Sequence, residues 1–127
     1  MPKQYFNAPA PSRKEFDELA DQIGNYEQIG SSTAFASKHA NLTGVLLKYG
    51  RVAFLKCDIS NFSGSNQLIG TLKSDYYPKV QRAYAVAINN DTSAVVGTIY
   101  VNTTGEVYYY GPSLNGSQLT FSAMYIV

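Results

Sequence analysis

Two hydrophobic periods divide the chain. Between Ser12 and Gly30 the apolar residues Phe16, Leu19, Ile23 and Tyr26 follow a three-four-three spacing, and the other positions are mostly polar, with Asp, Glu, Gln and Lys among them. That spacing lines one narrow seam of a helix. The helix has a start signal: Ser12-Arg13-Lys14-Glu15 has capping-box spacing, in which each end residue satisfies the other's backbone. Beyond Gly30 the period falls to two. Leu55, Cys57 and Ile59 alternate with polar neighbours, and every odd position from Leu119 to Val127 is apolar. This pattern predicts eight strands, near 33–37, 42–49, 51–60, 66–73, 80–90, 94–102, 106–111 and 117–127. Turn residues separate them at Tyr49-Gly50, Ser63-Gly64-Ser65-Asn66, Asn89-Asn90-Asp91 and Asn115-Gly116-Ser117.

The expected architecture is therefore mainly β. Residues 31–127 form an antiparallel barrel or jelly-roll-like head, and residues 1–30 a Pro-rich arm and short helical neck. A four-residue seam cannot keep a lone helix folded in water. It is covered either by the head of its own chain or by copies of itself in a short parallel bundle, with the head supplying most of the association.

The hairpin around Thr103-Thr104-Gly105 carries the sharpest local question, because three consecutive tyrosines, Tyr108, Tyr109 and Tyr110, follow it. Neighbouring strand residues point to opposite faces, so the three rings cannot all serve one core. A two-residue turn at Thr104-Gly105 pairs Thr103 with Glu106 and sends Glu106 inward. A three-residue loop with Gly105 in the left-handed conformation pairs Asn102 with Glu106 instead. The second register keeps the carboxylate out of the core and places Ile99, Val101, Val107 and Tyr109 on one face. Thr98, Tyr100, Tyr108 and Tyr110 then share the other face, a patch that calls for a subunit or a ligand. The final strand points to a subunit: its last even positions also become apolar, so the C-terminus reads as buried on both faces.

Composition changes this picture mainly by exclusion. Charged residues are 15% of the 127 and the formal net charge is +1, which gives no surface for tracking phosphates, so nucleic acid is not an expected partner. A single cysteine, Cys57, and a single histidine, His39, supply too few soft ligands for zinc; no metal or other cofactor is implied. Cys57 reads as a core residue and His39 as a loop residue or inter-chain contact. No apolar run is long enough to span a bilayer and no secretion signal opens the sequence, so the chain reads as soluble. The Asn-x-Ser/Thr triplets at Asn41, Asn61, Asn102 and Asn115 would accept glycans only in a chain secreted by a eukaryote.

Catalysis has little to draw on. Glu15, Asp17, Glu18, Asp21 and Glu27 lie in the neck segment, which leaves Asp58, Asp75, Asp91 and Glu106 for the head. Sugar binding requires less: flat rings and a few fixed polar groups. The candidates are Tyr76, Tyr77, Arg82, Tyr84, Asp91 and Tyr108, in loops and strands that carry both aromatic and charged residues. Phe16, Leu19, Ile23, Tyr26, Tyr100, Tyr110 and Tyr125 are the candidates for subunit contact.

Three segments carry a family resemblance: Ile69-Gly70-Thr71-Leu72-Lys73-Ser74-Asp75-Tyr76-Tyr77-Pro78, then Val101-Asn102-Thr103-Thr104-Gly105-Glu106-Val107-Tyr108-Tyr109-Tyr110-Gly111, then Phe121 to Val127. In order and spacing, residues 41–127 resemble the head domains of receptor-binding proteins on the tail tips of siphophages of Gram-positive bacteria, the lactococcal-phage baseplate heads above all. The resemblance implies a homotrimer of β-barrel heads on a short helical neck, located in the virion and binding a saccharide of the host cell wall. The family's larger N-terminal docking region has no evident counterpart; the Pro-rich arm would meet other baseplate or tail proteins in its place. The expected function is a non-enzymatic adhesin. A structural baseplate module without its own ligand and a wall-polysaccharide depolymerase are the alternatives.

Overall fold

The structure, a computed structural model, describes residues 25–29 and 34–127. The arm, the capping box and the seam residues Phe16, Leu19 and Ile23 lie outside the described residues. Nine strands are present among those described: β1 (Asn25–Ile29), β2 (Phe35–Ser37), β3 (Leu42–Tyr49), β4 (Val52–Gly64), β5 (Gln67–Leu72), β6 (Ala83–Asn89), β7 (Ala94–Val101), β8 (Glu106–Tyr110) and β9 (Leu114–Ile126). They form one antiparallel sheet in the order β1-β3-β4-β9-β6-β7-β8-β5-β2, which curls into a nearly closed barrel. The eight expected strands are all found; β1 is additional.

Strand β1 corrects the reading of Tyr26. Its backbone is extended and pairs antiparallel with β3, with Tyr26 opposite Leu47, so Tyr26 does not continue the helical seam. The three-four-three spacing runs past Gly24 into a segment whose conformation is set by pairing with β3, a contact too distant in sequence for local periodicity to report.

Alternation explains the barrel wall. On β4, Ala53, Leu55, Cys57 and Ile59 are fully buried, and β9 answers with Leu119, Phe121, Ala123 and Tyr125. Each large apolar side chain removed from water contributes about 1.5–3 kcal/mol. The next buried residue on β4 is Phe62, three positions after Ile59, so the period of two breaks there. A bulge absorbs the extra residue, with Asn61 at φ 56°, and a second irregularity follows where Gly116, at φ 64°, donates its amide to Ser63 Oγ at 2.8 Å. The bulge keeps Phe62 pointing inward, where its ring meets Tyr109 edge-on at 5.1 Å and 80°.

The C-terminal strand corrects a second expectation. Only its odd-numbered face is buried; Met124 is 69% and Ile126 55% exposed on the other. The strand is held by pairing with β4 along its length, from Ile59–Leu119 to Val52–Ile126, rather than by cover on both faces.

Candidate functional site

The hairpin of β7 and β8 adopts the three-residue loop. Asn102 N donates to Glu106 O at 2.9 Å, Gly105 N donates to Asn102 O at 2.9 Å, and Gly105 sits at φ 93°. Only glycine adopts that backbone at low cost. A Cβ at this position would also strike the ring of Tyr77. The register that follows sets Ile99 opposite Tyr109 and Val101 opposite Val107, all four fully buried. Glu106 stays outside, accepting from Thr104 Oγ1 at 2.9 Å.

The opposite face carries the site. Tyr84 of β6, Tyr100 of β7 and Tyr108 of β8 are Cα partners across three adjacent strands, so their side chains form one rung. Tyr110 stands two residues beyond Tyr108. Tyr100 is the hub: its ring centroid lies 5.1 Å from Tyr84 at 89° and 4.8 Å from Tyr110 at 43°. Tyr108 and Tyr110 are 5.8 Å apart. The Arg82 guanidinium carbon stands 4.9 Å above the Tyr100 ring, a cation–π contact that leaves its N–H groups free to point at a ligand. Tyr84 is 63% and Tyr110 40% exposed, while Tyr100 and Tyr108 are half-buried between neighbours. This makes a broad outward surface of four rings and one guanidinium.

Arg82, Tyr84 and Tyr108 are thus brought together, and Tyr100 and Tyr110, expected at a subunit contact, belong to the same cluster. Other candidates lie elsewhere. Tyr76, in the 3-10 turn Ser74–Tyr76, is 3% exposed and cannot meet a sugar. Tyr125 is 7% exposed within its own barrel, its hydroxyl donating to Tyr76 O at 2.9 Å, so it cannot form a subunit contact. Both were misplaced for one reason: the Pro-flanked turn looks like an exposed loop, yet it plugs the barrel against β9. Tyr77 packs its ring beside Gly105 and is partly buried. Asp91 lies in the turn between β6 and β7, beyond the far end of β6 from Tyr84, and accepts from Gln118 N at 3.4 Å.

Sequence reasoning missed the neighbour of this face. β6 and β9 pair only at Ile88–Thr120 and Asn89–Leu119, and beyond them the two strands part. A depression of about 370 Å³ opens there, lined by Val80, Arg82 and Tyr84 on one side and by Met124 and Ile126 on the other. The signal was the apolar drift of even positions in β9, which marks exposed rather than buried surface.

The remaining titratable groups are occupied separately. Asp58 accepts from Lys56 Nζ at 2.8 Å and from Thr120 Oγ1 at 2.6 Å; burial opposes its ionisation, but these bonds prevail and hold its carboxyl below the ordinary value. Burial pushes the Cys57 thiol up, with the nearby Asp58 charge adding to it, so the thiolate is disfavoured. Burial lowers the His39 imidazole, whose ring lies 5.1 Å from Phe62, with a bond to Gln67 opposing. Among the described residues, no group of three His, Cys, Asp or Glu side chains could hold a metal, and no helix is long and apolar enough to cross a membrane. No family model and no curated protein sequence matches the chain.

Proposed function

We propose that the chain is a non-enzymatic adhesin: a phage tail receptor-binding head that works as a homotrimer and takes a host cell-wall saccharide on its tyrosine face. The observation that carries this reading is the outward cluster of Tyr84, Tyr100, Tyr108 and Tyr110 with Arg82 stacked upon it. A saccharide has an apolar C–H side that stacks on flat rings and a rim of hydroxyls that require donors and acceptors. Four phenols and a guanidinium supply both on a scaffold fixed by strand pairing. The family resemblance of residues 41–127 adds the biological setting, a virion tail tip, with the N-terminal arm joining the head to other baseplate proteins.

Such a shallow surface binds one sugar weakly, in the millimolar range of about −4 kcal/mol. Three heads per trimer and several trimers per tail tip would turn weak contacts into firm adhesion by raising effective concentration. The test is binding of purified wall polysaccharide from candidate hosts. The wild-type protein retains polysaccharide of its host, and Tyr100→Ser, which removes the hub ring, retains at least about tenfold less, a loss of ~1.4 kcal/mol. Equal retention by a folded Tyr100→Ser protein would refute the reading, and release of reducing ends would replace the adhesin with a depolymerase.

A further inference from the structure

The sequence holds one Asn-Gly pair, Asn115-Gly116, and the fold places it at an irregularity in the barrel wall. The β4–β9 ladder pairs Phe62 with Ser117 and Gly64 with Leu114, and the register shifts between these two pairs. Asn115 and Gly116 therefore have no Cα partner on β4, although they lie within β9. Both are exposed. Gly116 adopts φ 64°, a backbone that favours glycine, and a Cβ there would come within 3.0 Å of Asn61 Oδ1.

The need for glycine at this bulge has a chemical consequence for Asn115. A side chain on the residue after an asparagine crowds the next backbone nitrogen, whereas glycine leaves that nitrogen open to reach the asparagine's own amide carbon. Every other asparagine of the sequence is followed by a residue that carries a side chain. The Gly116 nitrogen is also weakly restrained. In a regular ladder a strand carbonyl would hold its N–H; here it donates to Ser63 Oγ at 2.8 Å, and Ser63 is exposed, so its side chain is free to turn away.

We propose that Asn115 is a site of spontaneous deamidation and that the Ser63 hydroxyl sets its rate. The Gly116 nitrogen gives up its proton and attacks Asn115 Cγ. A bond forms between them, the bond from Cγ to the side-chain nitrogen breaks, and that nitrogen takes up the proton and leaves as ammonia. Water then opens the cyclic imide. Opening at Cγ leaves aspartate, and opening at the main-chain carbonyl leaves isoaspartate, whose Cβ becomes part of the backbone. Nothing is oxidised or reduced, and water is the only co-reactant. Either product adds one carboxylate and takes the formal net charge from +1 to zero, a state in which proteins associate more readily. Isoaspartate also lengthens β9 beside the Gly64–Leu114 pair and loosens that end of the ladder. The site is independent of the saccharide reading.

The experiment incubates the full chain, Ser63→Ala, Ser63→Thr and Asn115→Gln at mildly alkaline pH, with circular dichroism to confirm each fold. Isoelectric focusing follows the acidic form, and peptide mapping locates the new carboxylate and the β-linkage. The expected result is conversion at residue 115 in the folded wild type, and conversion about fivefold faster in Ser63→Ala, the factor that one neutral hydrogen bond is worth. Ser63→Thr keeps the hydroxyl and the wild-type rate, and Asn115→Gln gives no product at that position. An Asn115 that persists in the folded wild type through an incubation that converts it in the urea-unfolded chain overturns the site. An acidic form that maps to another asparagine while residue 115 stays intact overturns it equally. Equal rates in folded Ser63→Ala and wild type overturn the role of Ser63. Should Ser63→Ala not fold, the wild type itself decides that role: it must convert more slowly folded than in urea, and equal rates overturn the protection.

Discussion

Tyr109 and Tyr110 are adjacent in sequence and opposite in circumstance. Tyr109 is fully buried, its ring against Phe62 and its hydroxyl donating to Pro112 O at 2.8 Å. Tyr110 is 40% exposed and touches only the rings of its own outward cluster among the aromatic contacts. The two faces of the hairpin thus use one residue type for two purposes, packing on one side and presentation on the other. What separates them is the length of the loop at Gly105: one residue fewer would exchange the faces, because side chains alternate with a period of two. The contrast teaches that the site is a consequence of register, and that the register is guarded by a single glycine and by the cost of burying Glu106.

The contrast can be broken most severely from inside. Tyr109→Ala leaves a cavity beside Phe62 and should destabilise the protein by about 3–5 kcal/mol, read as a lowered urea midpoint. Next comes the loop: Gly105→Val combines a strained positive φ with a collision against Tyr77, and a loss of roughly 2–4 kcal/mol is expected. Tyr109→Phe keeps the ring and removes one hydrogen bond, so about 1 kcal/mol is lost. On the outer face the order reverses between stability and binding. Tyr110→Ser should cost under about 1.5 kcal/mol, the scale of an exposed aromatic pair, while weakening polysaccharide retention severalfold. A Tyr110→Ser protein as unstable as Tyr109→Ala would abolish the distinction between the faces.

The smallest effect is that of pH. The His39 imidazole is held below its ordinary value by burial, so the unfolded chain takes up the proton more readily; the stability this contributes is complete above the unfolded value of about 6.5 and declines as pH falls through it. Asp58, also held low, contributes stability above the unfolded carboxyl value of about 3.9 that is lost as pH falls further. Both signs agree. Thermal scans should show melting temperature falling slightly below neutrality and again in strong acid, with the first step absent in His39→Gln.

Much of this was legible because it is local. Alternation in β4 and β9 places the wall, and the choice between two loop lengths at Gly105 follows from where Glu106 and Tyr109 would point. The misreadings are all non-local. Tyr76 sits in a polar, Pro-flanked turn, and its burial depends on Tyr125, 49 positions away. Tyr26 follows a helical spacing, but its backbone is claimed by β3. The apolar even positions of β9 announce an uncovered surface as readily as a buried one, since alternation cannot report what lies beyond the chain. Tyr84 and Tyr100 meet only because β6 and β7 pair in one register; the sequence shows each ring and not their rung.

The central claim is that the outward rings meet the saccharide while Tyr109 does not. Titration of the protein with host-wall oligosaccharide, followed by the ring resonances of the individual tyrosines, tests it directly. The account predicts saturable shifts for Tyr84, Tyr100, Tyr108 and Tyr110 with Tyr109 and Tyr125 unmoved. Shifts confined to other residues, or binding that leaves all four outer rings undisturbed, would contradict it.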